Sequence, residues 1–172
     1  MDPSLQLPTS SQSRALDAAL WQFMLAVYAR TGVTAACLDI QERCSTDIVL
    51  LLTWLYHEHA GRQPLGATEI RALASLVDEW RTRTVLPLRH LRVELRTAGV
   101  GMPDEAREAL RGKIKALELA AERMQVSMMA EWLADHPVRD AVAPGSALSM
   151  VINRPETVSQ PLALLHREAA LT

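Results

Sequence analysis

An all-α fold is what this sequence predicts, and three observations predict it. Leucine and alanine supply most of an apolar content of 49%, while aromatic residues make up only 4%. Both are strong helix formers, and the β-branched and aromatic residues that favour strands are few. Apolar residues recur three and four positions apart through most of the chain, the spacing of one helix face. Glycine and proline gather between these periodic stretches and mark their ends. At 172 residues the chain fits one domain with a sizeable core.

The elements follow in order. Residues 1–12, rich in Pro, Ser and Gln, read as a disordered lead. A first helix is expected over about Ser13–Tyr28, with Ser13 as N-cap and Leu16, Leu20, Phe23, Met24 and Val27 on its buried face. Thr31-Gly32 ends it, glycine supplying the left-handed turn of a helix terminus. A second helix, Val33–Cys44, carries Val33, Ala36, Cys37, Ile40 and Cys44 on one stripe. The third, about Thr46–His59, starts at Ser45 or Thr46 with Asp47 in its first turn, where an acid favourably meets the helix dipole. Its run Ile48–Tyr56 has almost no polar face, as expected of a core helix. Gly61-Arg62-Gln63-Pro64 closes it.

A long fourth helix is expected from about Thr68 to Arg96, its buried face formed by Leu73, Leu76, Val77, Trp80, Thr84, Leu88, Leu91 and Leu95. An interior proline removes a hydrogen bond and crowds the preceding turn, so Pro87 predicts a kink near Arg83–Pro87. Gly99-Val100-Gly101 is a turn, and Pro103 suits the first position of a fifth helix running to about Ala134. Ala106, Leu110, Ile114, Leu117, Ala121, Met124, Met128 and Trp132 form its main face. The expected architecture is a long antiparallel helical hairpin, kinked at Pro87, packed with a three-helix N-terminal module. Residues 13–135 form the single helical domain. Residues 136–172 are a proline-rich tail with short helical turns near Ala147–Ile152 and Leu162–Ala170, attached loosely.

Function is harder to read. Net charge is −2, so no global positive field draws the chain to nucleic acid or an anionic membrane. The longest apolar stretch is far short of the ~20 residues a bilayer span needs. The N-terminus lacks the charged and apolar regions of a signal peptide, and the expected setting is cytoplasmic. Cys37 and Cys44, seven residues apart on one helix face, are too distant for a disulfide and read as buried apolar residues. His57-Glu58-His59 has the wrong spacing for a zinc site, because helix neighbours two apart point to different sides. No glycine-flanked serine or phosphate loop occurs, and nothing calls for a cofactor or metal. An enzymatic role ranks last.

Two surface features stand out. Arg81, Arg89, Arg92 and Arg96 share one flank of the fourth helix. Folding the hairpin about Val100 would pair Arg96 with Asp104 or Glu105, Arg92 with Glu108, and Arg81 with Glu118. Arg89 would then face Arg111, with Lys115 one turn on. The candidate anion patch is therefore Arg89, Arg92, Arg111 and Lys115. A second apolar stripe on the fifth helix, at Leu119, Val126, Ala130 and Leu133 with Met129 beside it, is a candidate interface. The tail, another protein or a second copy of this chain would cover it.

The ordered set Leu20-Trp21-x-Phe23, Tyr28, Gly32-Val33, Ala36-Cys37-Leu38, Gln41, Asp47, Leu50-Leu51-Leu52, Trp54-Leu55, Trp80, Val85, Pro87-Leu88-Arg89 and Arg92 resembles a family of small, uncharacterised proteobacterial helical proteins, domain of unknown function 2390. The resemblance spans about Leu20–Glu122. It implies an all-helical fold in a bacterial cytosol and supplies no activity. Trp21, Asp47, Trp54, Trp80 and Pro87 are its motif residues, with structural roles expected. Where the family tends to carry Gly ahead of the Asp and Asn after it, this chain has Ser45 and Val49.

Three functions are compatible with these features. The first is a non-enzymatic protein-interaction or regulatory module. The second is a binder of an apolar or amphiphilic anionic small molecule between helices. The third is a ribosome- or RNA-associated protein using the arginine flank.

Overall fold

The computed structural model describes residues 11–59, 63–96, 103–138 and 142–172, and among them every regular element is a helix. The fold is all-α. Helix α1 (Ser11–Tyr28) begins before Ser13, which is buried inside it and does not cap it. The predicted disordered lead thus loses Ser11 and Gln12 to the helix; its first ten residues lie outside the described residues. The α1 stripe of Leu16, Leu20, Phe23, Met24 and Val27 is buried as its periodicity requires. Gly32, at φ +83°, turns the chain into α2 (Val33–Cys44), which meets α1 at 101°. Cys37 and Cys44 are free and buried.

Ser45 sits at φ +53°, the left-handed region that glycine adopts most easily. It passes the chain into α3 (Ile48–His59). The cap of α3 is Asp47, not Ser45 or Thr46. Its Oδ1 accepts from the backbone N–H of Val49 at 3.0 Å and of Leu50 at 3.3 Å. Every residue from Ile48 to His57 is buried, so α3 is the axis of the core. Trp54 is fully enclosed there. Gly61 and Arg62 of the turn expected after α3 lie outside the described residues.

Helix α4 (Ala67–Trp80) starts at Gly66, whose N–H donates to the Glu69 carboxylate at 3.0 Å. The chain does not run on as a plain α-helix. Arg81–Val85 form a π-helical turn, closed by Leu86 N–H to Arg81 O, before α5 (Leu86–Glu94). The irregularity falls just ahead of Pro87, and the reason is local. Proline has no N–H to give and its ring crowds the carbonyl one turn back, which a wider turn moves away. One extra residue in a turn sets back every later residue by about 100°, one residue's rotation. The predicted stripe is therefore broken. Val85 is buried, Leu91 points outward at 45% exposure, and Arg89 and Arg92 take its place with 16% and 15% side-chain exposure.

Helix α6 (Asp104–Asp135) is 32 residues long, starting after Pro103, which occupies the cap position and not the first turn. The turn at Gly99-Val100-Gly101 lies outside the described residues. α6 packs mainly on α1 and α5, and also on α3, α4 and the π turn. Trp80 Nε1 donates to Ala121 O at 3.0 Å, while Arg89 and Arg92 further on reach Glu118, earlier on α6. Its buried face differs from the predicted main one. Leu110 and Leu117 are exposed, whereas Ile114, Glu118, Ala121, Gln125, Val126, Met129, Ala130 and Leu133 are buried. A stripe containing a glutamate and a glutamine does not register in apolar periodicity.

Four of the five candidate interface residues are consequently core. Val126, Met129, Ala130 and Leu133 are covered within the chain, and Thr53 Oγ1 of α3 lies 3.4 Å from Met129 Sδ. Only Leu119 is exposed. The tail covers a different face. Helix α7 (Leu148–Val151) packs on α3 and α4, and a 3₁₀ turn (Pro155–Val158) and α8 (Ser159–Ala169) return over α2, with α8 also against α1 and α3. Val151, Ile152, Val158, Leu162, Leu165 and Ala169 join the main core, so the described tail is packed and not loosely attached. No single helix among the described residues is long and apolar enough to cross a membrane.

Candidate functional site: a cation-lined cleft

The sequence-predicted anion patch comes together, and it does so inside a cleft of about 470 Å³. α5 brings Arg89 and Arg92, turned inward by the π turn, Arg96 follows from the turn after α5, and α6 brings Arg111, Lys115, Glu118 and Glu122. The opposite wall is apolar. α1 supplies Trp21, Met24, Leu25 and Tyr28; α2 supplies Leu38 with Thr34 and Gln41; α3 supplies Ile48, Val49 and Leu52. Leu119 of α6 completes the lining. Five cations face two carboxylates there.

The pairing of those charges differs from the one a fold about Val100 implies. Arg92 meets Glu118, not Glu108, donating from Nε and from Nη2 at 3.2 Å. Arg89 Nε donates to Glu118 at 2.7 Å and its Nη2 to Glu122 at 2.5 Å. Arg81 approaches Asp47 at 3.4 Å, not Glu118. Arg111 pairs with Glu108 of its own helix at 2.6 Å, while its Nε is buried with no hydrogen-bond partner. Arg96 and Lys115 line the cleft with no ion pair among the described residues. The two arginines nearest the core are thus neutralised, and the three cations beyond them are largely not.

The titration of these groups reflects that division. Burial works against the Glu118 carboxylate, but the hydrogen bonds from Arg92 and Arg89 outweigh it and hold its pKa below the ordinary value. Arg92 is raised by the same hydrogen bond. Glu122, with burial and the carboxylates of Glu118 and Asp47 against it, is raised despite Arg89. Desolvation, reinforced by Cys37 and Glu122, pushes the Tyr28 phenol well above its usual range. Burial lifts the Cys37 thiol to about 11. Phenol and thiol both stay protonated at neutral pH, so neither offers a nucleophilic anion.

The motif residues frame the cleft. Asp47 caps α3 with one oxygen and accepts from Gln125 Nε2 of α6 at 2.5 Å with the other. The Arg123 guanidinium lies 5.2 Å above the Trp21 ring and is paired with Asp17. Ser127 donates to the same aspartate at 2.9 Å. Trp80 fixes the π turn on α6, Pro87 follows that turn, and Trp54 fills the core beneath.

Sequence reasoning identified the cationic half of the site and missed the apolar half. A signal was present: Leu25 and Leu38 stand off the buried stripes of α1 and α2, Leu25 beside Trp21 and Tyr28, and both leucines are exposed. Asp104, one of the two partners expected for Arg96, pairs with Arg107 at 2.8 Å. No three His, Cys, Asp or Glu side chains converge on a metal position among the described residues.

Fold and site together define an all-helical protein built around a cleft with one apolar and one cationic wall. Residues 19–129 match the family described as protein of unknown function DUF2390, and the chain belongs to that family. No curated protein and no solved structure matches the chain.

Proposed function

We propose that the protein binds a small anionic amphiphile, held between the cationic wall of α5 and α6 and the apolar wall of α1–α3. The observation that carries this reading is the cleft itself, whose volume of about 470 Å³ lies within the usual range for small-molecule sites. Its chemistry is divided as such a ligand requires. The apolar body would displace water from Trp21, Leu25, Leu38 and Leu119, and the head would meet guanidinium and ammonium groups. The protonated state of Tyr28 and Cys37 supports binding over nucleophilic catalysis.

The test is a saturable titration with anilinonaphthalene sulfonate, an anionic aromatic amphiphile, alongside native mass spectrometry of protein purified without detergent. Binding of one equivalent to the folded chain is expected, weakened at least about tenfold in Leu38→Glu, which puts a like charge in the apolar wall. No saturable binding to the folded protein, and no co-purifying small molecule, would reject the reading.

A protein partner is the second reading, now centred on the cleft. Leu25, Leu38 and Leu119 are 44%, 42% and 50% exposed there, a rim that an acidic amphipathic helix would also fit. Competition separates the two, because a protein recovered from cells by the wild-type chain should be released by a small anion that fills the cleft. The RNA reading has less support, since Arg89 and Arg92 are turned inward onto Glu118. A steep loss of RNA affinity with salt would restore it.

A further inference from the structure

We infer that the ligand's head group is a phosphate monoester dianion, received by Arg96, Arg111 and Lys115, and that the ligand is a soluble phosphorylated small molecule with an apolar body. This rests on the binding reading above and specifies its chemistry. The cleft holds two kinds of cation. Arg89 and Arg92 spend their hydrogen bonds on Glu118 and Glu122, which makes them a fixed part of the wall. Arg96 and Lys115 have no acidic partner among the described residues. Arg111 gives one nitrogen to Glu108, itself 52% exposed in its side chain, and keeps Nε buried and unpaired.

Charge balance then selects the head. Arg111 and Lys115 stand four residues apart on α6, a like-charge spacing that destabilises a helix, and Arg96 lines the same cleft. A carboxylate would answer one of these charges. A phosphate monoester carries −1.5 to −2 charge at neutral pH and three acceptor oxygens, enough for all three donors. The guanidinium fork of an arginine matches two of those oxygens at once. The apolar wall, with Trp21 and Leu38 opposite, favours a phosphate that carries an apolar body over inorganic phosphate, which would leave that surface wet.

The experiment titrates the full chain by calorimetry with decyl phosphate, decanoate and decanol, each below its aggregation threshold. Decyl phosphate is expected to bind at least about tenfold more tightly than decanoate, with decanol weakest. The ratio of the two anions should fall as pH drops through about 6, where the phosphate loses its second charge and the carboxylate keeps its own. Changes in the protein's own groups act on both ligands, so the ratio isolates the head. Arg96→Gln combined with Lys115→Gln should close most of the gap, and both are exposed positions whose replacement leaves the core intact.

Decanoate binding as tightly as decyl phosphate would overturn the phosphate head and leave the amphiphile reading standing. Binding of neither anion would overturn both. Binding confined to phosphatidylcholine vesicles containing phosphatidic acid, with none to soluble decyl phosphate, would overturn a soluble ligand.

Discussion

Asp47 shows how much one side chain decides. Its carboxylate caps α3, holds Gln125 of α6 and approaches Arg81 of the π turn. It therefore joins the core axis to α6 and to the π turn that leads into α5. Asp47→Ala removes the cap, worth about 1 kcal/mol, and strands the buried Gln125 amide, at a cost of about 1–3 kcal/mol. The expected loss is about 2–4 kcal/mol by urea unfolding, with Asp47→Asn losing less because one oxygen still serves the helix end. An alanine variant within about 0.5 kcal/mol of wild type would show that water replaces these bonds and that Asp47 is not structural. At this scale the sequence was half legible. Arginines spaced along one flank announce an anion-facing surface, whichever way the helix is turned. Their partners depend on helix register, which is why Glu118, expected at Arg81, serves Arg89 and Arg92.

Among the elements, the π turn at Arg81–Val85 is what converts an arginine flank into a cleft wall. A uniform 3.6-residue period carried Leu88, Leu91 and Leu95 onto the core, so a proline read only as a kink gave the right place and the wrong phase. Thr82 is exposed within the turn, which makes a deletion informative. Removing Thr82 restores an α-helical turn and keeps Arg89 and Arg92 in phase with Glu118, but it drives Pro87 against the preceding carbonyl at a cost of about 3 kcal/mol. Adding Pro87→Ala to the deletion should recover most of that loss. If the pair is as unstable as the deletion alone, the turn is held by its own contacts and not by the proline.

Helix α8 carries a different control. His166 packs edge-on to Trp54 at 5.3 Å, and its Nδ1 lies 3.0 Å from His59 Nε2. That bond needs one nitrogen to donate and the other to accept, so it fails when both rings are protonated. Burial, with His59 adding to it, lowers the His166 pKa below its ordinary value near 6.5. The unfolded chain then takes up the proton more readily than the folded one. The stability His166 contributes is present above about pH 6.5 and is lost as pH falls through its depressed folded value. Urea midpoints measured from pH 7.5 to 5 should fall more steeply for wild type than for His166→Phe, which keeps a ring against Trp54. Parallel curves would mean that the imidazole takes up its proton equally in the folded and unfolded states, and that its burial does not resist protonation.

For the whole molecule, the decisive question is where the domain ends. Proline spacing after His136 argued for a loose tail, and proline does keep these helices short. It says nothing about whether the turns between them bury their apolar sides. Leu162 and Leu165 are three apart, and with Ala169 they give α8 a face that closes the core over α2. Val151, Ile152, Val158, Leu162 and Leu165 are all buried. At about 1.5–3 kcal/mol for each such side chain, their burial amounts to roughly 7–15 kcal/mol before the entropy of ordering the segment is subtracted. A domain's entire stability is about 5–15 kcal/mol. Removing the segment also uncovers Trp54, which His166 packs against, and Cys44, which Thr157 meets, so the remainder would have to fold with an open core. A chain ending at Val138 should therefore lack a cooperative thermal transition by circular dichroism and should self-associate in size-exclusion chromatography. The family match, which stops at residue 129, marks a shorter segment than the one that folds. A truncated chain that stayed monomeric and melted within a few degrees of the full one would place the tail outside the domain after all.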